Sequence, residues 1–135
     1  MTDMIQGFFW FVGILTIIAG VVGVGNIMLI VVKERTKEIG IRKALGATPY
    51  SIIAMILHEA VFITLISGFI GLILGLLLWA GIGPLVESDF FTHPEVDFNI
   101  ALTTVILLTV AGAFAGFIPA YKAAKIKPIV ALRDE

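Results

Sequence analysis

No cysteine occurs in the 135 residues of this chain. Thiolate catalysis, cysteine-based zinc sites and disulfides are thereby excluded together. Charge is scarce as well: Asp, Glu, Lys and Arg make up 14%, against about 25% in an ordinary soluble domain. The formal net charge of −1 and the lack of a basic face exclude a nucleic-acid binder. Only two histidines are present, His58 and His93. No G-x-x-x-x-G-K-[ST] loop, H-E-x-x-H, G-x-S-x-G or EF-hand spacing occurs. The expectation is a chain with no catalytic, cofactor or metal site of its own. His93, beside acids in a loop, makes a poor metal ligand because its companions would all be carboxylates.

What is present is apolar. Hydrophobic residues reach 59% and the mean hydropathy is +1.09. A water-soluble globule of this size has too much surface to hide so many apolar side chains. Three runs carry no Asp, Glu, Lys or Arg: residues 4–32, 60–86 and 98–121. About 20 helical residues cross a hydrocarbon core of ~30 Å, so each run is long enough. Only helices or closed barrels satisfy their backbone groups in lipid, and the runs show no strand-like alternation. The composition predicts an all-α membrane protein with three transmembrane helices, at about 4–32, 50–86 and 98–121, forming one domain over 1–135. The first run is not a signal peptide, since it is too long and has neither a basic leader nor a small-residue cleavage pattern.

All nine basic residues fall in two segments, 33–48 and 122–135. The segment 87–97 holds Glu87, Asp89, Glu95 and Asp97 with no base, and the N-terminus has only Asp3. The positive-inside rule then places the loop 33–48 and the tail 122–135 in the cytosol. Three crossings put the N-terminus and the 87–97 loop outside, so parity and charge agree. Phe8, Phe9, Trp10 and Phe11, with Trp79, lie at the expected outer ends of the first two spans, as an interfacial belt would. An outside N-terminus with nothing basic ahead of it suggests that residue 1 is a cut point and that an extracytoplasmic domain precedes it.

Residues 33–50 read KERTKEIGIRKALGATPY. Ile41 and Leu45 are i,i+4 neighbours sharing a face with Ala44, and Glu38 and Arg42 form an i,i+4 pair in the favourable order. Thr48 followed by Pro49 fits an N-cap and first-turn proline opening the second span. The pattern is a short amphipathic element lying between two membrane helices. It is either a charged turn held near anionic headgroups or a surface for a partner.

The run VVKERTKEIGIRKALGATPYSI, Val31 to Ile52, resembles the loop after the second membrane helix in permeases of the MacB/FtsX type. The closing stretch PAYKAAKIKPIVALRDE is similar to that family's P-x-x-x-A-x-x-x-x-P-x-x-A-L-R ending, here Pro119, Ala123, Pro128, Ala131, Leu132 and Arg133. The resemblance covers nearly the whole chain. The family pattern has four membrane helices, with a large extracytoplasmic domain between the first two, and this chain matches the last three. The resemblance implies an ABC transporter permease in the cell membrane that pairs with a second permease copy, the same or a paralogue. ATP would be bound and hydrolysed by an ABC ATPase subunit or domain. The loop from about Lys33 to Ala47 would be the coupling helix docked on it, with Glu34, Arg35, Lys37, Glu38, Ile41, Arg42 and Leu45 as its contact residues. Such permeases export macrolides, peptides or lipoproteins, or do conformational work outside the cell. FtsX-like members instead act as non-transporting subunits that regulate an outside enzyme.

Inside the spans, Gly71/Gly75 and Gly112/Gly116 have the G-x-x-x-G spacing that lets helices approach closely, and are expected to pack the second span on the third rather than to join two copies of the chain. Asn26, in the first span, either holds two protomers in register or bonds within one. Glu59, the one acid in a helical stretch, is expected to form an ion pair with Arg35 or Lys122 rather than to serve as a proton relay.

Overall fold

The computed structural model describes residues 2–82 and 98–133. Five helices follow one another: α1 (Thr2–Glu34), α2 (Thr36–Ala44), α3 (Pro49–Ile82), α4 (Phe98–Ala124) and α5 (Pro128–Arg133). No strand occurs among the described residues. α1, α3 and α4 are each long and apolar enough to cross a membrane. α1 and α4 enclose the first and third charge-free runs, and α3 overlaps the second but begins before it, at Pro49, and carries Glu59; the chain is an all-α membrane protein with three spans. The acidic 87–97 loop, with His93, lies outside the described residues.

Lipid offers a backbone no hydrogen bonds, and it offers side-chain hydroxyls none either. Within the spans, Thr16, Thr64, Thr103, Thr104 and Thr109 each donate to the carbonyl four residues back in their own helix. His58 does the same through Nδ1, 2.7 Å from the Ala54 carbonyl. α3 opens as its sequence predicts. The Ser51 amide donates to Thr48 Oγ1 at 3.2 Å, and Pro49, which has no N–H to satisfy, fills the first helical position.

The helices pack closely at one end. Met28 and Val32 of α1, Ile52, Ile56 and Ala60 of α3, and Ala120 and Ala123 of α4 form one buried cluster, with Ile39 of α2 inserted among them. α3 and α4 make the principal helix pair, and α1 leans on α4 far more than on α3. Small residues set these distances. A Cβ on Gly112 would press on the Val61 backbone and the Thr64 side chain, and one on Gly116 would overlap the Ala60 methyl. On α3 the tight glycine is Gly68, against Leu108. A Cβ at Gly71 or Gly75 meets nothing within 4 Å, so these two do not bring α3 against α4. The half-buried residues at their level are Leu72 and Leu76, side chains too large for backbone-to-backbone contact.

Pro119 sits buried inside α4 and has no N–H for the carbonyl of Ala115. α1 comes close to that carbonyl at Gly25, where an added Cβ would lie 3.2 Å from the Ala115 oxygen.

Candidate functional site: the helical cap at the basic end

α2 leaves α1 across a single residue, Arg35, and turns into α3 across Leu45–Thr48. Gly46 ends it with φ +100°, a left-handed position that glycine takes without strain. Between these joints, α2 shows one face to the chain and the other to its surroundings. Ile39 is 1% exposed and Gly40 is buried. Gly40 lies directly on Ala131 of α5, with no room for a side chain. On the other face Ile41 is 44% and Leu45 84% exposed, and Ala44 is exposed with them. α5 adds Ile129 and Val130, also exposed.

A charged group ties α2 to α3. Arg35 Nε donates to Glu38 Oε2 at 3.1 Å and Nη2 donates to Glu38 Oε1 at 3.3 Å. The same guanidinium reaches α3 through Nη1, 3.1 Å from Glu59 Oε2. Arg42 Nη2 closes on Glu38 Oε1 at 3.1 Å. The hydrogen bonds from Arg35, then its charge, then Arg42, hold the Glu38 carboxyl below its ordinary pKa. Arg35 is raised in turn, chiefly by its hydrogen bonds to Glu38. The expected Glu59 ion pair therefore forms, with Arg35 as its partner. All these groups are a third or more exposed, where solvent screening leaves an ion pair little net stabilisation.

Of the residues singled out in the sequence, the structure brings together Arg35, Glu38 and Arg42, and places Ile41 and Leu45 side by side facing away from the chain. Glu34 and Lys37 are exposed and join no ion pair among the described residues. Asn26 is exposed on α1. Two important residues were not singled out. Ile39 is the anchor of α2, and its one cue was an apolar residue off the Ile41–Leu45 stripe. Lys43 donates through Nζ to the carbonyls of Ala124 and Ile126, a long-range contact without any local signature.

Three membrane-spanning helices, the first two joined by a short amphipathic helix seated on their basic end, define a multi-pass helical membrane domain with an accessory surface helix. The model of the FtsX-like permease C-terminal family matches residues 10–128. The chain is 40% identical over 118 residues to the macrolide export ATP-binding/permease protein MacB of Nitrobacter winogradskyi, covering 87% of this chain and 18% of that protein. It is 38% identical over 125 residues to the MacB of Nitrosomonas europaea, covering 92% and 18%. It is also 40% identical over 121 residues to the uncharacterized ABC transporter permease YknZ of Bacillus subtilis, covering 90% and 30%. The chain belongs to the FtsX-like permease family and is an ABC transporter permease domain of the MacB/FtsX type. It spans less than a third of the length of these relatives.

Proposed function

We propose that this chain couples ATP hydrolysis on a partner ATPase, a separate subunit or domain, to export or to conformational work on the far side of the membrane. It carries no catalytic residue and binds no cofactor. The basic end, with α2 and α5, faces the cytosol, and the N-terminal end of α1 faces outside. Two copies, or one copy and a paralogue, form the working unit. The observation that carries the reading is the orientation of α2. Its inner face is anchored by Ile39, so Ile41 and Leu45 are held outward beyond the apolar spans, where burial in lipid does not account for them. The names of the two MacB relatives, which join ATP binding to a permease, support an ATPase as the partner.

If an ATPase groove covers both residues, each side chain contributes about 1.5–3 kcal/mol on burial. Ile41→Glu and Leu45→Glu remove that term and set a charge against the groove. Each ~1.4 kcal/mol is tenfold in affinity, so either variant should release the ATPase or lower its copurification at least tenfold. Membrane insertion should persist, since the spans are untouched. Normal copurification and normal transport-linked ATP turnover in both variants would remove the docking assignment. A headgroup-bound turn would instead show slight detachment from the bilayer with activity intact.

A further inference from the structure

The carbonyls at the end of α4 are accounted for in an unusual way. A helix leaves its last carbonyls without intrahelical donors. Here the Lys125 and Ile126 amides turn back to the carbonyls of Lys122 and Ala123, each at 3.2 Å. The carbonyl of Ala124 would next receive the amide of residue 128, but that residue is Pro128, which has none. The carbonyl of Ile126 is bypassed too, because the Val130 amide bonds to Lys127 at 3.1 Å. Both vacant carbonyls are taken by one group from 81 and 83 residues earlier, the ammonium of Lys43 on α2, which lies 2.9 Å from the Ile126 oxygen. A cation at a helix C-terminus is favoured by the helix dipole, and a hydrogen bond with a charged donor is about twice as strong as a neutral one.

α2 is thus held at four places: to the buried cluster by Ile39, to α3 by Arg35 and Glu59, to α5 by the Gly40–Ala131 contact, and to the α4–α5 corner by Lys43. Its covalent links are single-residue Arg35 and the short turn Leu45–Thr48, and neither would by itself stop α2 from swinging. We infer that Lys43 is a positioning residue that locks α2 and α5 to the inner end of α4, so that a push on α2 displaces α4 instead of rotating α2 on its links. The inference rests on the reading that α2 receives the push from an ATPase.

The absence of cysteine makes a direct test simple. Cysteines replacing Ala44 and Lys122, both exposed, are spin-labelled and their separation measured in membranes, with and without the ATPase. The expected result is one narrow distance in the parent chain, at least a twofold wider distribution in Lys43→Met, and a narrow distance again in Lys43→Arg, whose guanidinium can serve both carbonyls. In the complete assembly, Lys43→Met should keep its ATPase, because Ile41 and Leu45 are unchanged, yet lose about tenfold in transport-linked ATP turnover, the size of effect expected when a charged hydrogen bond is removed. Lys43→Arg should recover most of it. A distribution in Lys43→Met as narrow as the parent's overturns the lock. A wide distribution with full turnover overturns its role in transmission. Failure of the parent chain to bind an ATPase would refute the docking reading, and the label distances would still decide whether Lys43 holds α2.

Discussion

The two ends of the molecule are built differently. At the basic end four helices share one buried cluster, small residues bring backbones together, and charged side chains join elements far apart in sequence. At the far end α1 is exposed at each residue from Asp3 to Gly20, and a Cβ added at Gly7, Gly13 or Gly20 would meet nothing within 4 Å. In lipid there is little hydrophobic drive between helices, so close packing and polar contacts decide which parts of a bundle are held rigid. Rigidity is concentrated where α2 sits, while the far half of α1 presents a surface that the described residues do not cover.

The sharpest way to break the comparison is to ask whether the two ends lie on opposite sides of the membrane. Cysteine at Met4 should react with an impermeant maleimide in whole cells, as should cysteine at Ser88 in the acidic loop. Cysteine at Lys37 should react only after permeabilisation. The contrast is all or none, and the reverse pattern would invert the proposed orientation.

Next in size is Ile39→Ala, which empties a fully buried site and should cost about 2–5 kcal/mol of unfolding free energy. Ile14→Ala, on the exposed part of α1, should stay within about 0.5 kcal/mol. Equal losses at the two positions, measured by reversible unfolding in detergent, would remove the distinction between the ends.

Gly112→Val should follow, at about 1–3 kcal/mol, because the added carbons meet α3 backbone. Gly71→Ala should be nearly neutral in the same assay, as its Cβ enters open space.

The smallest effect belongs to the charged group. Glu59→Gln should cost about 1 kcal/mol or less. The contribution of Glu38 depends on pH in a fixed direction. Its carboxyl is held below the ordinary value by Arg35 and Arg42, so the stabilisation is full above the unfolded-state pKa and is lost as pH falls through the lower folded-state value. The stability difference between the parent chain and Glu38→Gln should therefore be constant around neutrality, begin to shrink as pH falls through the usual carboxylate value, and vanish below the lower folded-state value.

The spans were legible in the sequence because charge is excluded from hydrocarbon, and three uninterrupted runs leave no other arrangement. That Glu59 forms an ion pair was legible for the same reason, since a lone acid at a span's edge needs a nearby base, but the choice of Arg35 over Lys122 came from the fold. Which glycines pack was not legible. Gly71 and Gly75 share the spacing of Gly112 and Gly116, but spacing marks a stripe along one helix and does not say where the neighbouring helix approaches it. The inner face of α2 was hidden likewise: Ile39 and Ile41 look alike in a charged loop until the position of the core is known. α5 was not legible as a helix, because its six residues, opening on Pro128, carry no periodicity of their own; its contact with Gly40 of α2 is visible only in the fold. Nothing local sets Lys43 apart from the other loop charges, since its acceptors lie 81 and 83 residues further along.

The central claim is that the outward face of α2 meets an ATPase. A photo-crosslinking residue placed at Leu45, and separately at Ile41, in the complete assembly tests it at the contact itself. The account predicts ATPase adducts from both positions and none from Ile27, which is exposed on α1 within a span. Adducts to lipid alone from Leu45 and Ile41, with the ATPase present and active, would contradict it.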